Sequence, residues 1–432
     1  MKICVLGLWH LGSVTAAALA SQGHEVVGLD FEAATIAGLR AGIAPVFEPG
    51  LETLLQSGLS SGRLRFAARL DEVPPDMAIL WVAYDTPVDD ADRADTEFVM
   101  AQVEQALPGM NADTLLLVSS QLPVGSVRRL ERTAAARGFP LRAACCPENL
   151  RLGRALQDFL HPQRIVAGTR SERDQELLRE LLTPLSPSIE WMSVESAEMT
   201  KHAINAFLAT SVAFANEIAT LCESMGADAT EVARGLKSEG RIGPGAYVSP
   251  GAAFSGGTLA RDVGFLNATA DEHSIDTPLL AAVLPSNDLH ARWARKKLLE
   301  VLGTLTGRTV AVWGLAYKPG TDTLRRSLAV ELCDWLLGAG ASVRVHDPLV
   351  GDLPQQWAGI VTRYEDPVQA VQGADALVVA TEWPVYRDVA AEVLASCSSG
   401  LLVLDANRFL PLLAHLRQGI RYLAVGMPRA VE

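Results

Sequence analysis

Along the first part of the chain, short apolar runs alternate with segments in which apolar residues return every three or four positions. Lys2–Gly7 (KICVLG) reads as a strand closed by a glycine, and Ser13–Gln22 carries small and apolar side chains at helical spacing. Glu25–Asp30 (EVVGLD) is a second apolar strand ending in an acid, which completes a right-handed strand–helix–strand unit of about thirty residues. Further strands are predicted at Met77–Ala83, Thr114–Val118, Leu141–Cys145 and Arg164–Gly168, with helices at Glu97–Leu107 and Val127–Arg137 between them. This rhythm predicts a parallel α/β domain over residues 1–190.

Over residues 191–302 the strand rhythm stops. Ala197–Met225 and Pro278–Leu302 read as long helices, whose apolar content suits either a subunit interface or an internal helical layer. From 303 to 432 the first pattern returns. Arg308–Lys318 (RTVAVWGLAYK) is a strand with a glycine turn, Ser327–Leu337 a helix, and Ala341–Pro348 (ASVRVHDP) a strand reaching Asp347. Ala374–Trp383 answers Asp76–Pro87, and Leu401–Phe409 is one more strand leading into a polar loop. The expected fold is α/β: two doubly wound parallel-sheet, Rossmann-like domains joined by a central helical segment.

Composition narrows the function classes. The chain has 432 residues, 49% hydrophobic and 20% charged, which excludes disordered and low-complexity classes, and its net charge of −13 disfavours nucleic acid or an anionic membrane as the main partner. No uninterrupted apolar run of about 18 residues occurs, so no membrane span is expected. The six cysteines show no metal-like CxxC spacing and read as free thiols in a reducing compartment; no metal site is expected. The apolar N-terminal run breaks at Gly7 without a cleavage pattern, which fits a cytoplasmic enzyme.

The turn Gly7-Leu8-Trp9-His10-Leu11-Gly12 follows a strand directly and opens a helix, with Asp30 closing the next strand. In that position backbone amides hold a pyrophosphate, and the acid binds the adenosine ribose hydroxyls while repelling a 2′-phosphate. The expected cofactor is NAD, favoured over NADP, the alternative being an α/β domain whose tight turn holds no dinucleotide. Trp9 stands at the middle glycine position of GxGxxG, where a side chain crowds the pyrophosphate unless it points away. In the helical segment Lys201 and Asn205 are four apart and share a helical face, suited to a developing oxyanion, although spacing alone favours an exposed lysine near a capping or core asparagine. Glu148 follows a buried strand, where α/β enzymes keep their ligands. Arg241 and the glycine-rich stretch from Ser249 to Asp262 can approach phosphate or sugar oxygens, or simply connect two helices.

Together these segments resemble the UDP-glucose/GDP-mannose dehydrogenase family. The matching pieces run in order over nearly the whole chain: the glycine turn, Glu48-Pro49-Gly50-Leu51, Thr86-Pro87, Pro123-Val124-Gly125, Pro147-Glu148, Lys201 with Asn205, Asn216-Glu217, Arg241-Ile242-Gly243, Gly256–Asp262, Gly314–Pro319, Asp347-Pro348 and Thr381-Glu382-Trp383. The resemblance implies an NAD domain, a helical dimerisation core giving a homodimer or higher homo-oligomer, and a C-terminal domain serving a nucleotide-sugar substrate. It implies oxyanion stabilisation by Lys201 and Asn205, proton transfer through Asp262 and a water, and acid/base work by Glu148. Implied cofactor contacts are the glycine turn, Asp30, Thr86, Ser120, Gln121, Glu148 and Arg325. Implied substrate contacts are Glu148, Asn149, Leu150, Lys201, Asn205, Arg241, Gly251, Ser255, Gly256, Tyr317 and Lys318.

The family oxidises a primary alcohol twice, through a thiol-bound intermediate on a cysteine of its GGSC loop. Here that position is Thr258, the neighbouring lysine is Arg261, and Gln121 stands where a threonine is frequent. Threonine is a poor substitute nucleophile, whereas hydride transfer needs no thiol. Three outcomes are left open by the residues: oxidation that stops at a carbonyl, a second oxidation through an aldehyde hydrate, or a silent sugar-nucleotide-binding protein. Cys145 or Cys146 could supply a displaced thiol, although core packing is the commoner role of such residues.

Overall fold

A computed structural model describes residues 1–88, 94–147, 150–255, 257–389, 391–410 and 419–428. The chain divides into two compact units, Met1–Ala203 and Ile204–Glu432. In the first, eight strands form one sheet: β1 (Lys2–Leu6), β2 (Glu25–Leu29), β3 (Leu64–Ala67), β4 (Ile79–Val82), β5 (Leu115–Val118), β6 (Arg142–Cys145), β7 (Ile165–Gly168) and β8 (Ile189–Met192). Their order is β3-β2-β1-β4-β5-β6-β7-β8, so the chain winds outward from β1 in one direction and then, from β4, in the other. Pairing is parallel except between β6 and β7, where Cys145 opposes Gly168 antiparallel.

The inner strands are largely apolar because both faces are covered. Alternate residues separate into two clusters: Ile3, Val5, Ile79, Trp81, Leu115 and Leu117 pack with Val14, Ala17 and Ala18 of the helix His10–Ser21. Cys4, Leu6, Leu80, Val82, Leu116 and Val118 pack with Val99, Met100, Val103, Val127 and Leu130. The small residues of the first helix let it lie close to β1. A Cβ on Gly12 would sit 1.6 Å from the Gly7 carbonyl oxygen. Gly12→Ala is therefore expected to destabilise the chain by about 3 kcal/mol, read as a lowered denaturation midpoint; an unchanged midpoint would show that the turn can open.

The second unit holds a six-stranded sheet, β9 (Thr309–Trp313), β10 (Ser342–His346), β11 (Val361–Arg363), β12 (Ala376–Val379), β13 (Leu401–Asp405) and β14 (Ile420–Leu423). Its order, β11-β10-β9-β12-β13-β14, repeats the winding of the first sheet. Every pairing in it is parallel. The likeness reaches individual bonds: Gly7 N–H donates to Leu29 O and Gly314 N–H to His346 O, while Leu8 and Leu315 each donate a backbone N–H to the aspartate that follows the second strand, both at 2.7 Å.

The expected Ala197–Met225 helix is Val194–Met225, but Pro278–Leu302 is two helices, Pro278–Ala291 and Trp293–Leu302, because Arg292 N–H turns back to Leu289 O. By length and composition Val194–Met225 could cross a membrane, yet 44% of its most apolar stretch is buried within the protein. Its buried polar residues are bonded there as well. Glu223, for instance, accepts from Trp293 Nε1 at 2.9 Å, Gly426 N at 3.0 Å and Lys297 Nζ at 2.7 Å.

Candidate active site

In the first unit the turn after β1 places Gly7 at φ +89°, and a Cβ there would strike the Tyr84 ring at 2.6 Å. Asp30 is buried at the end of β2, accepting from Leu8 N at 2.7 Å and from Glu32 N at 2.9 Å, which leaves acceptor capacity for a ribose. Its counterpart Asp347 accepts from Leu315, Ala316, Leu349 and Val350 N–H and from Trp383 Nε1. Five donors saturate that carboxylate, whereas Asp30 keeps acceptor capacity. Trp9 is 53% exposed at the start of the first helix and makes no side-chain cap, so its indole leans outward rather than into the core. The His10 ring is drawn aside by a hydrogen bond between its Nε2 and buried Glu48 Oε2 at 3.0 Å, and Leu11 N–H donates to Asp85 Oδ2 at 3.0 Å.

Glu48 belongs to the Glu48-Pro49-Gly50 motif and also accepts from Gly153 N and Ala155 N, both at 2.8 Å, at the start of the helix Ala155–Leu160. Its role is thus to tie the two loops beyond β2 and β6 together. At the ends of β4 and β5, Thr86 Oγ1 donates to Gln121 O at 2.7 Å. Ser120 Oγ and the Tyr84 hydroxyl are buried without a hydrogen-bond partner among the described residues, polar groups that a cofactor can satisfy. The glycine turn, Asp30 and these orphaned hydroxyls fit a dinucleotide.

The segment after β5 is anchored to the long helix. Glu198 accepts from Gly125 N at 2.7 Å and Val127 N at 3.0 Å, capping the helix Ser126–Ala136, and His202 Nε2 donates to Leu122 O at 2.9 Å. Burial pushes the Glu198 carboxyl above its ordinary range against those two bonds. Lys201, half-buried, stands between these anchors on the same helix, and Asn205 follows it four residues on. Sequence reading missed Glu198 and His202; their signal was the i, i+4 pairing of polar residues on a face otherwise apolar.

In the second unit Asp262 is fully buried in the helix Gly257–Glu272, and the Asn205 side-chain amide donates to its Oδ2. Thr258 is exposed in the first turn of that helix, four residues before Asp262. The preceding loop is clamped by amides and an imidazole: Asn216 Oδ1 accepts from Gly251 N at 3.0 Å, His290 Nε2 donates to Gly251 O at 2.8 Å, and Asn287 exchanges two bonds with Phe254. Asn407 Oδ1 accepts from Ala252 N at 2.6 Å, so close that a Cβ on Gly251 would lie 2.2 Å from it. Ser255 Oγ donates to Tyr317 O at 3.3 Å, and Lys318 lies over the Tyr317 ring at 5.5 Å. Burial raises the Tyr317 phenol and the Glu382 carboxyl, the latter bonded to Asn407.

Among the expected site residues, the glycine turn and Asp30 come together in one seat, and Thr86 binds the Gln121 backbone. Asn205 meets Asp262, and Gly251, Ser255, Tyr317 and Lys318 belong to the clamped loop or its support. Arg241 does not join them: its side chain is 89% exposed and ion-paired with Glu239 at 2.9 Å. Arg325 is exposed on the turn before the helix Leu328–Gly338, and Leu150 packs at the edge of the first core. Glu148, Asn149 and Gly256 lie outside the described residues. Cys145 and Cys146 are both buried, and burial pushes the Cys145 thiol well up, which removes it as a ready thiolate.

Residues 1–186 match the NAD binding domain of the UDP-glucose/GDP-mannose dehydrogenase family, 195–289 its central domain and 311–411 its UDP binding domain. The chain is 37% identical to a UDP-glucose 6-dehydrogenase of Pseudomonas aeruginosa, covering 100% of this chain and 98% of that protein. It is 32% identical to the UDP-glucose 6-dehydrogenase YwqF of Bacillus subtilis, over 100% and 99% of the two chains. Among solved structures, a UDP-glucose dehydrogenase from Pyrobaculum islandicum superposes with a TM-score of 0.87 at 33% identity, covering 98% of this chain and 97% of that one.

Proposed function

From the premise that the chain belongs to the UDP-glucose/GDP-mannose dehydrogenase family and is an NAD-dependent nucleotide-sugar dehydrogenase, we propose that it oxidises the primary alcohol of a UDP-hexose in a single two-electron step that ends at the aldehyde. The names of its relatives support the UDP-sugar, and Thr258 supports the early stop.

Gly7, Gly12 and Asp30 would hold the cofactor, with Thr86, Ser120 and Gln121 beside it. NAD, when bound, supplies the two-electron acceptor. The chain's own residues handle charge and proton. Asn205 is oriented by its bond to Asp262, which leaves its second amide N–H to donate to the developing alkoxide together with the Lys201 ammonium. Asp262 takes the alcohol proton through a water, and Glu148 shares the acid/base work. Tyr317, Lys318 and the clamped loop from Ser249 to Ser255 receive the nucleotide sugar.

The single observation carrying the early stop is a hydroxyl at Thr258 while all six cysteines are buried in the cores of the two units. Counting NADH formed per nucleotide sugar consumed, across a panel of nucleotide sugars, tests the reading. No turnover despite sugar-nucleotide binding would leave a silent binding protein in its place.

The three-part layout of residues 1–190, 191–302 and 303–432 suits this assignment, and the free cysteines suit a reducing compartment such as the cytoplasm. A homodimer is part of the same reading. Phe207, Phe214 and Leu221 are exposed at seven-residue spacing on the long helix, an unpartnered apolar stripe. Phe214→Glu is expected to convert a dimer to a monomer in light scattering, and an unshifted mass would place the interface elsewhere.

A further inference from the structure

The first helix begins without any capping group of its own. Trp9 offers no side-chain acceptor, and no acid occurs in the first turn His10–Ser13. The acceptor comes instead from the loop after β4: Asp85 Oδ2 takes the Leu11 N–H at 3.0 Å. Asp85 is exposed, whereas the next residue, Thr86, is buried and tied to Gln121 O at 2.7 Å, so the backbone is anchored directly beside a side chain that reaches solvent. A helix N-terminus attracts one anion at a time strongly, and a carboxylate already there opposes a second through like charge.

We propose that Asp85 is an internal stand-in for the cofactor diphosphate, and that dinucleotide binding is an exchange in which this carboxylate leaves the Leu11 N–H before the diphosphate settles. Asp85 thereby sets cofactor affinity without touching the reacting atoms. In the cofactor-free protein it keeps the helix capped, and it raises the threshold for any phosphate-bearing ligand at that turn. The inference rests on the NAD assignment.

Calorimetric titration of the full chain with NAD and, separately, with adenosine distinguishes the two. Asp85→Ala is expected to bind NAD about fivefold more tightly than the wild type, with adenosine affinity unchanged because adenosine carries no phosphate. Asp85→Asn, which keeps an acceptor but no charge and so preserves the cap, is expected to fall between them. Melting without cofactor should show Asp85→Ala less stable than the wild type, and saturating NAD should erase that difference because the diphosphate takes over the cap. Equal or weaker NAD binding by both variants overturns the exchange, as does an equal gain for adenosine. Absence of NAD binding in all three proteins overturns the cofactor assignment with it.

Discussion

One NADH per nucleotide sugar, together with an aldehyde that hydroxylamine can trap, is the expected product balance of the wild-type protein. The first turn of the helix Gly257–Glu272 is the reason. A cysteine at a helix N-terminus is held partly as thiolate by the partial positive charge there and adds readily to an aldehyde. Thr258, in the same place, has a hydroxyl with negligible ionisation, and the N-terminal field does not change that. Without a covalent adduct the aldehyde has no tetrahedral alkoxide from which a second hydride can depart. Thr258→Cys is therefore expected to leave the first equivalent and its rate largely intact, to raise the yield towards two, and to make the second equivalent sensitive to iodoacetamide. Two equivalents from the unmodified protein would instead mean that water adds to the aldehyde and the hydrate is oxidised.

Replacing Asp262 by Asn, or Asn205 by Ala, is expected to lower kcat by about 10²–10⁴-fold in each case. The two groups share one buried hydrogen bond, so the double variant should lose much less than the product of the single effects. Asp262→Asn removes the proposed proton acceptor, while its side-chain carbonyl can still accept from the Asn205 amide. Single-turnover NADH formation at saturating sugar isolates this step. Losses that multiply would show that Asn205 and Asp262 act separately, and a pure rise in KM would move both from chemistry to binding.

Much of this was legible in the residues because buried parallel strands are apolar on both faces. KICVLG, EVVGLD and RTVAVWG announce themselves, and the winding of both sheets follows from the glycine turn and the acid after the second strand. The edge strands β3 and β8 escaped notice: each is four residues long and interrupted by a charge, Arg65 in one and Glu190 in the other, so neither forms an apolar run. The Pro278–Leu302 break was hidden because apolar spacing continues across Arg292. Within the site, residue types that carry chemistry were visible, and those that only hold others were not. Asn407, Asn287 and His290 bond to loop backbone, and backbone partners leave no trace in a pattern of side chains. The same holds for Asp85, which accepts from a backbone amide that folding brings to it from 74 positions earlier.

The placement of sulfur bears on how such a protein fares in a stressed cell. Cys4, Cys145, Cys146, Cys222, Cys333 and Cys397 are all shielded, and burial pushes the Cys4 thiol up to about 12. Peroxide and electrophilic toxins attack exposed thiolates, and all six thiols of this molecule are buried. The proposed single oxidation, which uses no thiol, would then continue through a burst of oxidants that silences a thiol-dependent counterpart, with endurance gained where the second half of the reaction is given up.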